Sequence, residues 1–281
     1  MDLKKTIQEI ENLPSPDFIL QKIVDTANNP GASAKDLNEV ASKDPAFVAK
    51  ILKIANSAYY GLPRNVTKLT EAIMILGFKT VRNMAMSIFT GKEFFNFDTD
   101  KLDMKEFWKH AVVVATVGEL AAEIIGYSNK EELFMCGLLH DIGKSVQGVL
   151  FPNLFDSIIG LSRVKKISYY HSEQLLEIPT HELFAELLLE KWNFPELVLI
   201  TASRHHRPQT IQNSIYSDPV NIITLATFVA ERMKMGDNGG GKPIELPKYC
   251  WDELGMTPVI FDELLSTVEK KVEKIDEFMN I

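Results

Sequence analysis

The sequence predicts an all-α fold, and two observations support this prediction. No convincing run of residues alternates between polar and apolar with a period of two, which is the pattern of a half-buried strand. Helix start signals recur instead. Asp44-Pro45 and Asp218-Pro219 each place a capping carboxylate before a proline at the first helical position, where the missing N–H costs nothing.

Further helices follow from caps and apolar spacing. Ser128 and Glu131 have the spacing of a capping box, and Asn56 and Ser57 are expected to cap or bridge helices near the N-terminus. The other helices are predicted from Asp103 to Ile125, from Thr180 to Trp192 and from Pro195 to His206. An amphipathic C-terminal helix is predicted from one apolar stripe, formed by Leu264, Val268, Val272, Ile275 and Met279.

Breaks in these patterns divide the chain into three predicted parts. A polar link at residues 95–100 separates an N-terminal helical subdomain (1–97) from a helical core (98–235), and a third part (236–281) is expected to pack back. The third part begins with a glycine-rich segment (residues 236–243) that predicts a flexible loop. This segment matches seven positions of a phosphate-binding P-loop, but Pro243 stands where Ser or Thr is needed. We therefore interpret it as a surface loop.

Composition bounds the partners and the compartment. The 281 residues are 46% hydrophobic and 24% charged, and the two cysteines have no CxxC spacing, so we expect a globular protein without disulfides. A net charge of −8 disfavours general nucleic-acid binding, because that binding depends on basic surfaces that release counterions. The chain has no apolar run that would span a bilayer or resemble a secretory signal. We expect a cytoplasmic protein with no membrane partner.

The histidines suggest a site. His140 precedes Asp141 at the end of an apolar helix, and an imidazole beside a carboxylate suits a divalent Fe, Mn, Zn or Ni ion. His110 follows Glu106 by four residues, so both side chains would project from one helix face. His181 opens a helix.

Two further histidines, His205 and His206, end a helix, and adjacent helical residues diverge by about 100°. They could serve two neighbouring ions, or one could bind an ion while the other supports it. Each histidine could equally be an ordinary helix-end residue. Lys144 could bind a phosphate or merely end a helix, and we assign His171 to the surface.

Two motif groups in sequence order resemble the HDOD (HD-related output domain) family of bacterial signalling proteins, within the HD superfamily. The first group is DPA at 44–46, LKIANSAYYG at 52–61 and AIMILG at 72–77. The second is FWKH at 107–110, GLLHDIGK at 137–144 and HHRP at 205–208. The resemblance covers most of the chain. It implies an HD-like helical core with an N-terminal helical subdomain.

The resemblance also implies a metal site, because HD enzymes are metal-dependent phosphohydrolases. The matching positions are His110, His140, Asp141, His181, His205 and His206. One or two divalent ions would bind there, with Glu106 as a further candidate ligand. Asp141 and Lys144 are the candidate catalytic residues, the lysine by steadying a phosphate. HDOD proteins, by contrast, are usually regarded as signalling or scaffold modules without demonstrated catalysis.

Two departures from the HD pattern favour signalling. The last HD carboxylate falls at Thr227, which is a poor ligand for such an ion. The chain also lacks the Gly-Tyr-Pro element of the cyclic-dinucleotide phosphodiesterases after His206. We therefore expect a non-catalytic signal-transduction module that binds metal and regulates signalling proteins. The alternative is a metal-dependent phosphohydrolase whose ligand is a nucleotide or phosphoester.

Overall fold

A computed structural model describes residues 3–95, 97–212, 214–275 and 279. Within these residues the regular structure is helical and no β-strand occurs, which confirms the predicted all-α fold. The helices are α1 (Leu3–Glu11), α2 (Phe18–Asn28), α3 (Ala34–Ala41), α4 (Pro45–Ala55), α5 (Leu69–Leu76), α6 (Phe78–Phe94), α7 (Met104–Ile125), α8 (Lys130–Leu139), α9 (Ile142–Leu150), α10 (Pro152–Lys165), α11 (Tyr169–Leu175), α12 (His181–Lys191), α13 (Glu196–Arg204), α14 (Ser217–Arg232), α15 (Lys248–Glu253) and α16 (Pro258–Val272), with a 3-10 turn at Pro208–Ile211.

The chain divides into two compact units. The larger unit comprises Met1–Leu13 and Phe94–Glu269, and the smaller unit comprises Pro14–Glu93 and Lys270–Ile281. In the larger unit α7 packs against α8 and α14, while α12 packs against α9 and α13. In the smaller unit α3 packs against α2, α4 and α5. The predicted three-part division, with boundaries after residues 97 and 235, stays a prediction.

Several helix termini differ from the prediction. α4 begins as predicted, with the Asp44 carboxylate accepting a hydrogen bond from the Phe47 N–H (3.0 Å). The capping box predicted at Ser128 is wrong, because Asn129 takes the cap position of α8 and makes no side-chain capping bond. α14 begins one residue before Asp218, whose carboxylate lies in the first turn, where it still favours the helix dipole.

The C-terminal apolar stripe is interrupted. α16 ends at Val272, and residues 273–274 form a turn before the helical residue Ile275. Leu264, Val268 and Ile275 are all buried, as an apolar stripe requires. The prediction of one continuous helix through Met279 is therefore wrong, although its buried face is placed correctly.

The absence of a side chain at Gly143 allows the N-termini of α9 and α12 to pack against each other. A Cβ atom at this position would overlap the backbone carbonyl of His181 and the amide of Ala185. The start of α9 therefore lies directly against the first turn of α12. This contact places Asp141, the residue before α9, next to His181.

Among the described residues, no single helix is long and apolar enough to cross a membrane. α5 and α6 pass that test only as a pair, and the pair is bent by 117°.

Candidate metal centre

Six side chains that the sequence predicted as a group lie together in the larger unit. They come from four places: His110 from α7, His140 and Asp141 from the junction of α8 and α9, His181 from the start of α12, and His205 and His206 from the end of α13. Five are buried and His206 is partly buried. We call these six residues the cluster.

The Asp141 carboxylate lies at the centre of the cluster. The distances from histidine Nε2 to the nearest Asp141 oxygen are 3.2 Å for His140, 3.4 Å for His181, 3.6 Å for His205 and 3.8 Å for His110. Candidate ligand atoms form two groups, each within 4.8 Å: Asp141, His181, His205 and His206 in one, and His110, His140 and Asp141 in the other. Asp141 belongs to both groups, so its two oxygens could face two ions.

The cluster has buried polar atoms without protein partners. The Nε2 atoms of all five histidines and Oδ1 of Asp141 are buried and form no hydrogen bond. Buried side-chain polar atoms in native proteins nearly always have a partner, so such a group needs an explanation. A cation accepts lone pairs from imidazole and carboxylate alike. The residues present therefore fit a divalent metal ion.

Backbone carbonyls orient two of the imidazoles. Nδ1 of His140 lies 2.7 Å from the carbonyl oxygen of Gly137, and Nδ1 of His205 lies 3.0 Å from that of Ala202. A carbonyl only accepts, so Nδ1 of each ring must carry the proton. Nε2 then keeps its lone pair and points into the cluster, which is the tautomer that a metal ligand needs.

The charges of the cluster also suit a cation. Burial lowers the pKa of His110 and of His205 to about 3, so both imidazoles are neutral at neutral pH. Burial alone would raise the pKa of Asp141, but His140 and Lys144 outweigh it and hold that pKa well below its usual value. The cluster therefore presents the neutral imidazoles of His110 and His205 beside one carboxylate anion.

Lys144 is a buried cation beside the cluster. Its ammonium donates to Asp141 Oδ2 (2.7 Å) and to the carbonyl of Asn238 (3.3 Å), and it lies 4.9 Å from the centre of the Tyr169 ring. Only 1% of the residue is exposed. In this structure the lysine thus holds the aspartate, and its predicted role in steadying a phosphate stays a prediction.

Sequence reasoning missed Glu173, which is fully buried behind His181. One oxygen accepts the His181 backbone N–H (2.6 Å) and the Gln147 side-chain amide (2.7 Å), while the other lies 2.8 Å from His181 Nδ1. Burial raises the pKa of Glu173 to about 8, although those donors act in the opposite direction. The two residues lie on different helices, so no helical periodicity could have linked them.

The glycine-rich segment (residues 236–243) lies against the cluster. Gly236 has a φ of +79°, and a Cβ there would overlap the His110 backbone. Asn238 is buried, accepts from Lys144 through its carbonyl and donates from its side chain to Glu231. The prediction of a surface loop is wrong for these central residues, because the glycines allow close approach to the cluster.

Three other predicted positions belong to neither group of ligand atoms. Glu106 is exposed, although His110 on the same helix is buried. His171 is exposed, as predicted, and lines a cavity together with His205 and His206. Thr227 donates its hydroxyl to the Ile223 carbonyl (2.9 Å), so the side chain serves α14 itself.

A cavity of about 450 Å³ is lined by His205 and His206. The Tyr170 ring stacks on His206, with ring centres 4.7 Å apart and planes inclined by 22°. Lys166 and Lys242 also line the cavity. Small-molecule sites have volumes in this range and combine apolar walls with a few polar groups.

Comparisons with known proteins agree with this architecture. The chain is 25% identical over 204 residues to an uncharacterised protein of Treponema pallidum (strain Nichols), covering 71% of this chain but only 38% of that protein. Among solved structures, an HDOD domain protein of unknown function from Geobacter sulfurreducens has a TM-score of 0.80 at 21% identity, covering 98% of this chain and 99% of that one.

A second solved structure, from Marinobacter aquaeolei VT8, belongs to a protein proposed to act in signal transduction. Its TM-score is 0.76 at 22% identity, and the match covers 99% of this chain and 63% of that one. At these identities the two structures show a shared fold. The HDOD domain family itself matches residues 13–208, well over half of the sequence. The chain belongs to the HDOD domain family.

Proposed function

We propose that the chain is a metal-binding signal-transduction module that regulates signalling proteins and does not catalyse a reaction. One observation supports the metal-binding part: five imidazole Nε2 atoms without hydrogen-bond partners surround the Asp141 carboxylate. The signalling part rests on analogy with the family and with the Marinobacter protein of similar fold.

The six cluster residues would hold one or two divalent ions. Imidazole with carboxylate suits Fe, Mn, Ni or Zn better than a metal that prefers thiolates. Asp141 would be shared between two ions, since it belongs to both groups of ligand atoms. A bound ion of this kind polarises an oxygen ligand and lowers the pKa of bound water.

The chain's own residues prepare the cluster before any ion arrives. The carbonyls of Gly137 and Ala202 set the tautomers of two imidazoles. Lys144 holds one oxygen of Asp141, which leaves the other without a partner. Ligands held in place in this way lose little freedom on binding an ion, and this preorganisation favours affinity.

The position of the last HD carboxylate supports a non-catalytic role. Thr227 stands there and uses its hydroxyl within α14. Glu231, one turn later, accepts from the Asn238 side chain and the Ile244 backbone. Thr227 has no carboxylate, and both oxygens of Glu231 already accept hydrogen bonds. Neither residue therefore supplies the last carboxylate ligand of the HD pattern.

A second candidate is a metal-dependent phosphohydrolase acting on a nucleotide or phosphoester. The cavity beside His205 and His206 favours it, because a small ligand there would reach the cluster. Lys166 and Lys242 would attract an anion, although Lys242 also pairs with Glu245 (2.7 Å).

Elemental analysis of protein purified without a metal-affinity column tests metal binding. We expect wild type and Asp262→Asn to retain about one or two ions per chain, and Asp141→Asn to retain far less, because Asp141 is shared by both ligand groups. Asp262→Asn is the matched control, since it makes the same change at an exposed aspartate outside the cluster. A metal content near zero in wild type would overturn metal binding.

Assays with Mn²⁺ or Fe²⁺ against a panel of nucleotides and a generic phosphate ester separate the two candidates. We expect no turnover. Turnover that persists in Asp262→Asn and disappears in Asp141→Asn would overturn the non-catalytic role and establish the phosphohydrolase.

A further inference from the structure

The five imidazoles of the cluster are not supported alike. His140 and His205 direct Nδ1 at backbone carbonyls. His181 directs Nδ1 at the Glu173 carboxylate, 2.8 Å away. Both Glu173 and His181 are fully buried. His181 is thus the imidazole that faces an ionisable group on one side and Asp141 on the other.

The Glu173 carboxyl is itself fixed from several directions. Oε1 accepts from the His181 backbone N–H and from the Gln147 amide. The Gln147 carbonyl oxygen in turn accepts from the Tyr169 hydroxyl (2.8 Å). These bonds occupy Oε1 and leave Oε2 for the imidazole of His181.

We propose that Glu173 is a positioning residue for metal binding, which accepts the His181 Nδ1 proton and so directs the Nε2 lone pair at the cluster. The inference deepens the proposed function and rests on it. A carboxylate behind a ligating imidazole fixes the tautomer and ring orientation and increases the basicity of the ligand. A positive charge at Nε2 also favours the ionised form of the carboxyl behind it.

A glutamine in place of Glu173 cannot accept all of the hydrogen bonds that the carboxylate accepts. In the proposed tautomer three donors reach the two oxygens of Glu173: the His181 N–H, the Gln147 amide and the His181 ring. A glutamine has one acceptor oxygen and one NH₂ group, so an NH₂ group would face at least one of these donors. If it faces the ring, Nδ1 must accept, and the proton moves to Nε2, which then cannot bind metal.

Zinc affinity, measured by competition with a fluorescent chelator, tests the proposal with the full-length protein. We expect Glu173→Gln to bind zinc about 10- to 100-fold more weakly than wild type. The matched control is Glu196→Gln, the same change in an exposed glutamate of the larger unit that accepts from the Tyr216 hydroxyl and not from an imidazole of the cluster. We expect this control to stay within about twofold of wild type.

The free energy of unfolding of each metal-free variant is measured alongside. A purely structural role would lower stability and leave the zinc affinity of the folded protein unchanged. Wild-type affinity in Glu173→Gln, or equal losses in both variants, would overturn the positioning role. Failure of wild type itself to bind zinc would instead overturn the proposed metal binding.

A second measurement needs no variant. In zinc-loaded wild type labelled with ¹⁵N-histidine, NMR is expected to show a proton on Nδ1 of His181 and none on Nε2. Zinc on Nδ1, or a proton on Nε2, would contradict the proposal even if Glu173→Gln did not fold.

Discussion

The two units of the chain differ in whether their buried polar side chains have hydrogen-bond partners within the protein. In the smaller unit, buried Arg82 donates to Asn28 (2.6 Å), and the exposed Asn56 donates to the carbonyl of buried Val66 (2.8 Å) and accepts from its N–H (2.7 Å). Among the described residues of that unit, only Thr90 has a buried side-chain oxygen or nitrogen without a partner. In the larger unit, over the residues that the structure describes, the buried side-chain atoms without partners are five imidazole nitrogens, one carboxylate oxygen and one serine hydroxyl.

This difference distinguishes polar groups that are paired within the protein from polar groups that are available to bind a ligand. A buried donor or acceptor without a partner costs about 1–3 kcal/mol. The smaller unit avoids this cost by pairing its amides and guanidinium within the protein. In the larger unit, several buried atoms around Asp141 have no partner, so burying them is unfavourable. This is the pattern expected when the partner is not part of the chain.

Metal addition is expected to give the largest effect on the larger unit. Free zinc at 100 times its dissociation constant should raise the free energy of unfolding by about 2.7 kcal/mol, because it binds only the folded cluster. All three tryptophans (Trp108, Trp192 and Trp251) lie in the larger unit, so their fluorescence during denaturation reports on it. The increase should vanish in Asp141→Asn. Equal stabilisation of that variant would show that zinc acts elsewhere.

A change that separates α9 from α12 is expected to break the cluster without removing a ligand. In Gly143→Ala the new methyl group overlaps the His181 carbonyl, so we expect a loss of about 1–3 kcal/mol in unfolding free energy and weaker zinc binding. Gly160→Ala is the matched control, since a Cβ there has nothing within 4 Å and alanine favours a helix by about 0.5–1 kcal/mol. Denaturation and chelator competition measure both. Unchanged zinc affinity in Gly143→Ala would refute this account of the packing.

Local sequence signals predicted the all-α fold, and the resemblance to the HDOD family predicted the residues of the cluster, but neither predicted what supports those residues. Asp44-Pro45 marks a helix start within a few residues, and the structure bears it out. Glu173 and Asn238 act across helices, on His181 and Lys144, so their roles depend on tertiary packing that periodicity does not encode. The glycine-rich segment misled for a related reason: glycine permits both flexibility and close approach, and only the neighbouring backbone distinguishes them.

A substitution in the smaller unit tests the other half of the comparison, in which a polar side chain already has its partners within the protein. Asn56→Ala leaves the N–H and carbonyl of Val66 without partners, so we expect a loss of about 1–3 kcal/mol in that unit's stability. Asn65→Ala, an exposed asparagine in the same loop, should change stability by less than about 0.5 kcal/mol. Amide hydrogen exchange reads out the smaller unit. Zinc content should match wild type in both variants, and a drop in Asn56→Ala alone would show that the two units are coupled.

A last test varies the pH and concerns Glu231. Burial raises the pKa of this carboxyl from 4.5 to about 7 in the folded protein. The folded state therefore retains a proton that the unfolded chain releases, so this stabilisation is fully present below pH 4.5 and is lost as the pH rises through about 7. The variant Glu231→Gln cannot lose that proton. The unfolding free energy of metal-free wild type, relative to the variant, should fall between pH 4.5 and 7 and level off above. The unfolding free energies are measured by tryptophan-monitored denaturation. If those of wild type and Glu231→Gln change with pH in parallel, the pKa of Glu231 is the same in the folded and unfolded states.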